Sequence, residues 1–387
     1  MAGYIVIFTR SLPFHSLGGM EVVAWDLAQS FVKKGKKVAV ITTSLEAENI
    51  EIKIINGVEI IFLQNTPSGK YSNNWWMASR KYFIEKFVDN TDTVLSVSAA
   101  AFNVLDLKRD YPQIKMFMQA HGTSWGELIS KLKSLRIKSM LSSVKNLMGL
   151  IKDLRNYNKF DKIIPIGKQV ENDLKRKPIT WFLPQTKVCR INNGIDTDIF
   201  RPAGNNLTNL RQQLNIPLTS KIVISASRLH VQKGSINSLH IFSSLLKTDD
   251  NYHYLIAGDG PESENLKNIV KTLHLENKVT FLGRLQRDSL ANYLQLADVF
   301  LFLTERVEGL PLNVLEALAS GTSVIVSDHV PLFDSANIYP VNYRNQEDVI
   351  SKISQITKSH SISTSGYLPR EYHLDYATEK YIEAFDQ

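Results

Sequence analysis

Short runs of apolar and β-branched residues alternate along the chain with longer stretches whose apolar positions recur every three or four residues. In the first half the short runs predict strands at 4–8, 37–43, 58–63, 93–97, 114–119 and 162–166. The longer ones predict helices near 20–34, 73–89, 100–109 and 127–159. The second half repeats the alternation, with strands near 221–226, 252–257, 278–282, 299–303 and 323–327. Helices near 234–247, 262–274, 287–296 and 312–320 lie between and after them, and 372–387 reads as a final helix. Such alternation predicts an α/β protein of parallel sheets with right-handed crossovers. Ligands of such sheets bind at the carboxyl ends of the strands.

A chain of 387 residues exceeds one typical core and suits two domains. The turn-rich stretch Asn192-Asn193-Gly194-Ile195-Asp196, followed by Phe200-Arg201-Pro202, marks the boundary. The expected domains are 1–190 and 191–371, with the helix at 372–387 returning to the first. Hydrophobic content of 43% and charged content of 21% are those of an ordinary globular protein. One cysteine, Cys189, excludes an internal disulfide framework and a thiolate metal cage, as expected of a cytoplasmic protein. The apolar run Tyr4–Phe8 is too brief for a signal sequence, and no stretch is long enough to span a bilayer. Up to Arg190 there are 28 Lys+Arg against 16 Asp+Glu; the remainder carries 17 against 22. One half is basic and the other mildly acidic, so the halves face different partners.

The densest constellation runs from Ala297 to Asp328. A strand leads through a short loop into a helix that begins near Pro311 or Leu312, and proline suits a first helical turn. The N–H groups at that helix end form an anion site. Glu308 precedes the helix and Glu316 lies eight residues on, within it. One ligand could give phosphate to the helix end and hydroxyls to both carboxylates. The same spacing also suits two unrelated surface glutamates.

This segment, with Gly309, Leu310, Leu312 and the run Glu316-Ala317-Leu318-Ala319-Ser320-Gly321, resembles the donor-site signature of the family-four retaining glycosyltransferases, which have the GT-B fold. The resemblance implies two Rossmann-like domains facing a central cleft. It gives Glu308 the donor sugar and Glu316 the ribose hydroxyls. Ser225-Ala226-Ser227-Arg228-Leu229, then Gln232-Lys233-Gly234, resembles the family's Gly-Arg-Leu…Lys-Gly element, departing at Ser227. Arg228 offers a planar fork and Lys233 a point charge for a diphosphate leaving group; a pair of solvated surface cations is the plainer alternative. Gly258-Asp259-Gly260-Pro261 resembles the family's Gly-x-Gly-Pro turn, and Gly283-Arg284-Leu285 the loop whose backbone meets the base. In the first half, Gly18-Gly19 matches the family's glycine pair, and His121-Gly122 its histidine near the reacting sugar. The candidate catalytic residues are therefore Glu308, His121, Arg228 and Lys233. His121 is not read as the general base, a role the family gives to a donor phosphate oxygen. The resemblance is strongest over 190–330. It departs after Asp328, where His329-Val330-Pro331-Leu332-Phe333-Asp334 replaces a glycine pair and a glutamate and leaves Asp334 as the candidate acid.

Residues 131–159 hold eight Lys+Arg and one acid. Lys131, Lys138, Lys145 and Lys152 recur every seven residues, which lines them on one helix stripe. Ile137, Leu141, Val144, Met148 and Ile151 form an apolar stripe beside it. A basic amphipathic helix reads as a membrane-surface element; the alternative is an ordinary helix with its apolar face on the core. No nucleic-acid motif accompanies the charge.

The expected protein is a metal-independent glycosyltransferase with a nucleotide-diphosphate sugar, best UDP-linked, as substrate and no cofactor. Its expected acceptor is a lipid-linked glycan at the inner membrane face. Rival readings are an epimerase or hydrolase on the same fold and a non-catalytic sugar-nucleotide-binding module.

Overall fold

The computed structural model describes residues 3–16, 18–45, 49–133, 137–202, 208–306, 308–358 and 366–387; at 127, 130–133 and 137–146 it describes the backbone alone. The chain divides into two compact units, Met1–Gly194 with Leu374–Gln387, and Ile195–His373.

The first unit runs β1 (Tyr4–Phe8), α1 (Gly19–Lys33), β2 (Lys37–Thr43), β3 (Glu51–Ile55), β4 (Val58–Leu63), α2 (Asn73–Lys86), β5 (Thr91–Val97), β6 (Lys115–Ala120), α3 (Ser124–Lys133), α4 (Ile137–Tyr157), β7 (Lys162–Pro165) and α5 (Lys168–Leu174). The strands form one sheet in the order β3-β4-β2-β1-β5-β6-β7. Side chains alternate across it: Val6 and Phe8 bury with Trp75 and Phe83 of α2, while Ile5 and Ile7 bury with Phe31 of α1. Each large apolar side chain so buried contributes about 1.5–3 kcal/mol.

Four elements of the first unit differ from the sequence reading, α5 among them, which was not expected. Strand β3 was not expected; it pairs antiparallel with β4 as an edge strand. The Asn56-Gly57 turn joining them has both φ angles positive, +50° and +77°, which suits a two-residue hairpin. The predicted helix at 100–109 is only a 3-10 turn at Leu105–Arg109. Ala100, Ala101, Phe102, Val104, Leu105 and Leu107 are all buried, so this run has no polar face to give a helix. The predicted helix at 127–159 is two helices, α3 and α4, that pack on each other. Asp153 Oδ2 of α4 accepts the Ser124 N–H at the start of α3, 3.2 Å away. A single helix over that range would be about 50 Å long and could not bury its apolar face on so small a unit.

The second unit runs α6 (Thr208–Gln213), β8 (Lys221–Ala226), α7 (Ser235–Leu246), β9 (Tyr252–Ala257), α8 (Ser263–Thr272), β10 (Val279–Gly283), α9 (Arg287–Leu296), β11 (Val299–Phe302), α10 (Leu312–Ala319), β12 (Ser323–Ser327), β13 (Ile338–Val341) and α11 (Gln346–Lys358). Its sheet is parallel throughout, in the order β10-β9-β8-β11-β12-β13. Counted from β8, that is the 3-2-1-4-5-6 order of a Rossmann sheet, whose direction of winding reverses between β8 and β11.

The last helix, α12 (Leu374–Asp386), belongs to the first unit. Its Phe385 ring lies 4.6 Å from that of Phe117, its Thr378 hydroxyl donates to Ser30 Oγ at 2.7 Å, and its Glu379 pairs with Lys34 of α1. The boundary falls at Gly194 rather than Arg190, and the return at Leu374 rather than Tyr372.

Candidate functional site

In the second unit the winding reversal leaves the carboxyl ends of β8 and β11 side by side, paired through Val223–Val299 and Ile224–Phe300. The loops leaving these two strands carry the predicted charges. After β8 the chain turns through a 3-10 turn at Val231–Lys233 and enters α7 through Gly234. Gly234 has φ of +69°, and a Cβ there would stand 1.9 Å from the Leu303 carbonyl oxygen after β11. Only glycine lets the two loops approach this closely. Gly258, after β9, is held the same way against the Ser227 carbonyl, also 1.9 Å from an added Cβ. Ser227 itself is not among the positive-φ residues, so a side chain is accommodated where the family has glycine.

That close approach brings together two residues 75 apart in sequence. The Lys233 Nζ donates to Glu308 Oε1 at 2.7 Å, with the two side chains 22% and 16% exposed. Thr304 Oγ1 lies 3.4 Å from the same oxygen and donates to the Gln232 carbonyl at 3.1 Å. Among the described residues both contacts to Glu308 fall on Oε1, which leaves Oε2 as an acceptor for a ligand hydroxyl. The Lys233 ammonium also sits 5.3 Å from the centre of the Phe302 ring, a favourable cation–π contact. Its desolvated half is thus stabilised by a carboxylate and a ring, while its remaining N–H groups stay available to an anion.

Helix α10 opens at Leu312 with Pro311 as its N-cap. Asn313 Nδ2 donates to the Ala226 carbonyl at 2.7 Å, which ties the first turn of α10 to the last residue of β8. Glu316, one turn further, is 8% exposed. Arg228, Arg284 and Gly309 are exposed, and Gly260, Leu285, Leu310 and Leu312 are partly buried. Arg228, Lys233, Glu308 and the start of α10 therefore occupy one end of one sheet. Thr304 and Asn313 were missed in the sequence. Their signals were a hydroxyl residue just past a strand and a poor helix former inside a first helical turn. Asp334 is the candidate replacement acid. It lines a hollow with Phe333, Ser335, Ala336, Ile338 and Pro340, none of them a site residue. The chain here is already turning back to enter β13, and Phe333 is stacked 4.7 Å from Tyr372.

In the first unit the winding reverses between β1 and β5. Gly18 and Gly19 open α1 in the loop after β1, and the Ser11 hydroxyl donates to Glu21 Oε1 at 2.8 Å across that loop. A Cβ on Gly18 would meet Glu21 Oε2 at 2.4 Å. His121 follows β6, with Nε2 2.8 Å from Gln119 Oε1. Part of its surface is open, yet the surrounding protein desolvates the ring and lowers its pKa to about 4, so it is neutral at pH 7.

The lysine stripe is changed by the structure. Lys131 is on α3, whereas Lys138, Lys145 and Lys152 are on α4, so the four do not share a helix. The side chains of Lys131, Lys138 and Lys145, and of Ile137, Leu141 and Val144, lie outside the described residues. Lys152 rests 3.8 Å from the centre of the Trp76 ring, and burial lowers its pKa. It is therefore tied to α2 rather than a freely solvated charge. Met148 and Ile151 are 62% and 45% exposed, with Leu147 beside them at 51%, so this part of the apolar stripe does not pack on the core.

Among known proteins, the family model for glycosyltransferase family 4 matches residues 17–199, and that for glycosyl transferases group 1 matches 207–342. An O-antigen biosynthesis glycosyltransferase of Escherichia coli is 33% identical over 191 residues, 49% of each chain. An alpha-monoglucosyldiacylglycerol synthase of Streptococcus pneumoniae is 36% identical over 121 residues, 31% of this chain and 27% of the relative. These matches span about half or less of the curated relatives. The Anabaena protein HepE, solved with UDP and glucose, superimposes with a TM-score of 0.71 at 14% identity over all of both chains. With one family model on each unit and the fold of a GT-B protein throughout, the chain belongs to the family-four glycosyltransferases.

Proposed function

We propose that this protein is a retaining glycosyltransferase that moves a sugar from a UDP-sugar to a hydroxyl of a lipid-linked glycan. The observation that carries the reading is the Lys233–Glu308 pair at the β8/β11 reversal. A leaving nucleoside diphosphate gathers negative charge as the glycosidic bond breaks. Lys233 and Arg228 supply preorganised positive charge beside a carboxylate able to hold the sugar's hydroxyls. In this reading Glu316 takes the ribose hydroxyls and Arg284-Leu285 meets the base, the roles that the family resemblance implies. The UDP and glucose bound by HepE support the donor class. Because the two cations neutralise the diphosphate, activity is expected to persist in EDTA.

The acceptor class rests on the O-antigen and diacylglycerol relatives and on the exposed Leu147, Met148 and Ile151 of α4. Exposed apolar side chains on a basic helix suit the boundary between lipid headgroups and acyl chains. The protein then works as a peripheral enzyme on the inner face of the cell membrane. Incubation with a panel of sugar nucleotides, followed by thermal shift and by NMR of the product's anomeric configuration, tests the reading. Stabilisation by a UDP-sugar and a product of unchanged anomeric configuration are expected. Donor turnover that needs no acceptor would point instead to an epimerase or hydrolase.

A further inference from the structure

Two polar side chains of the first unit are buried without a role in the site described above, and both connect to His121. Gln119 is 1% exposed and Tyr381, on α12, is 2% exposed. The Gln119 Nε2 donates to Tyr381 Oη at 2.9 Å, and Gln119 Oε1 lies 2.8 Å from His121 Nε2. Gln119 and His121 are two residues apart along β6 and its end, so they share the face of the sheet that α12 covers. On that face α12 is fixed independently of the amide by the Phe117–Phe385 and Phe31–Tyr381 ring contacts, and by the Thr378–Ser30 hydrogen bond.

A carboxamide has one donating end and one accepting end. Tyr381 Oη can donate or accept; here it accepts from Gln119 Nε2, and only the amide's acceptor faces the imidazole. His121 Nε2 must then carry the ring's proton, and Nδ1 is left with a lone pair. We propose that Tyr381 and Gln119 are positioning residues that hold His121 in the Nε2–H form, so that Nδ1 accepts a hydrogen bond from a substrate hydroxyl. The proposal rests on the transferase reading only for the identity of that hydroxyl. Helix α12 thus sets the hydrogen-bonding sense of a residue 260 positions earlier.

The test is the nitrogen-15 spectrum of the histidine ring in the full chain, with and without Tyr381→Phe, which removes the hydroxyl and keeps the ring. Wild type is expected to show a protonated Nε2 and a bare Nδ1. Tyr381→Phe frees the amide to turn over and should move both shifts toward a mixture of tautomers, with transfer slowed about fivefold. Gln119→Glu, which accepts from either oxygen, should keep the Nε2–H form even in the Tyr381→Phe background. Unchanged melting temperature in Tyr381→Phe separates positioning from folding. A wild-type spectrum with protonated Nδ1, or one that Tyr381→Phe leaves unmoved, overturns the proposal. A Tyr381-dependent Nε2–H form in a protein that transfers no sugar upholds the positioning and overturns the transferase reading.

Discussion

The two units solve the same topological problem with different chemistry. Each has a largely parallel sheet whose winding reverses at a central strand, β1 in the first unit and β8 in the second. At the second unit's reversal the loops after β8 and β11 bring Lys233, Glu308 and Arg228 to one end of the sheet. In the first unit the loops after the strands offer a glycine pair, a neutral imidazole and a carboxamide, with Arg10 just after β1 and Glu21 in the first turn of α1. Its excess of basic residues is concentrated instead in 131–159. The fold decides where a ligand can sit, and the residues decide which ligand. Charge at the second reversal suits a diphosphate; uncharged hydrogen-bonding groups suit hydroxyls.

The sharpest way to break this contrast is to remove charge from the second unit. Lys233→Ala is expected to cost about 2–4 kcal/mol of transition-state stabilisation, read as a fall of about 30- to 1,000-fold in transfer rate. It also leaves Glu308 half-buried without its cation. Arg228, which is exposed, should show the smaller loss of the two. Rates within twofold of wild type for both variants would dissolve the distinction between the units.

The geometry of the loops can be tested apart from their charge. Gly234→Ala places a methyl group against the Leu303 carbonyl in a left-handed backbone conformation. We expect a stability loss of about 2 kcal/mol or more and a weakened response to UDP-sugars in thermal shift. Normal melting with unchanged donor binding would show that the loops need not touch.

On the first unit, Met148→Ser with Ile151→Ser should weaken co-sedimentation with anionic liposomes about tenfold and leave donor binding as it is. These positions sharpen the membrane test better than Lys152, whose removal would also disturb Trp76. A double variant that still sediments normally would assign the exposed stripe to another role.

The smallest expected effect is on acid stability. Burial lowers His121 and His253, one in each unit, to about 4 from 6.5. The unfolded chain therefore takes up these protons first. Their contribution to stability is complete above about pH 6.5 and is lost as pH falls through 4. Melting curves across this window should show the decline, and His253→Gln should reduce it while leaving the His121 ring spectrum unchanged. A decline of equal size in that variant would assign the acid sensitivity to the carboxylates.

Local pattern made much of this protein legible in the sequence. Strands β8 and β11 and the start of α10 depend on alternation and on spacing within one strand–loop–helix unit. These are properties of neighbouring residues, so a linear reading finds them. The tertiary structure decided what depends on distant partners. The Lys233–Glu308 bond spans 75 residues and exists because glycine allows two loops to touch. The Tyr381–Gln119–His121 chain spans 262. The split of 127–159 into two helices, and the position of Lys152 on Trp76, followed from the need to bury apolar surface on a unit narrower than one long helix. A periodic pattern states which face of a helix is apolar. What that face meets is fixed only when the chain has closed around it.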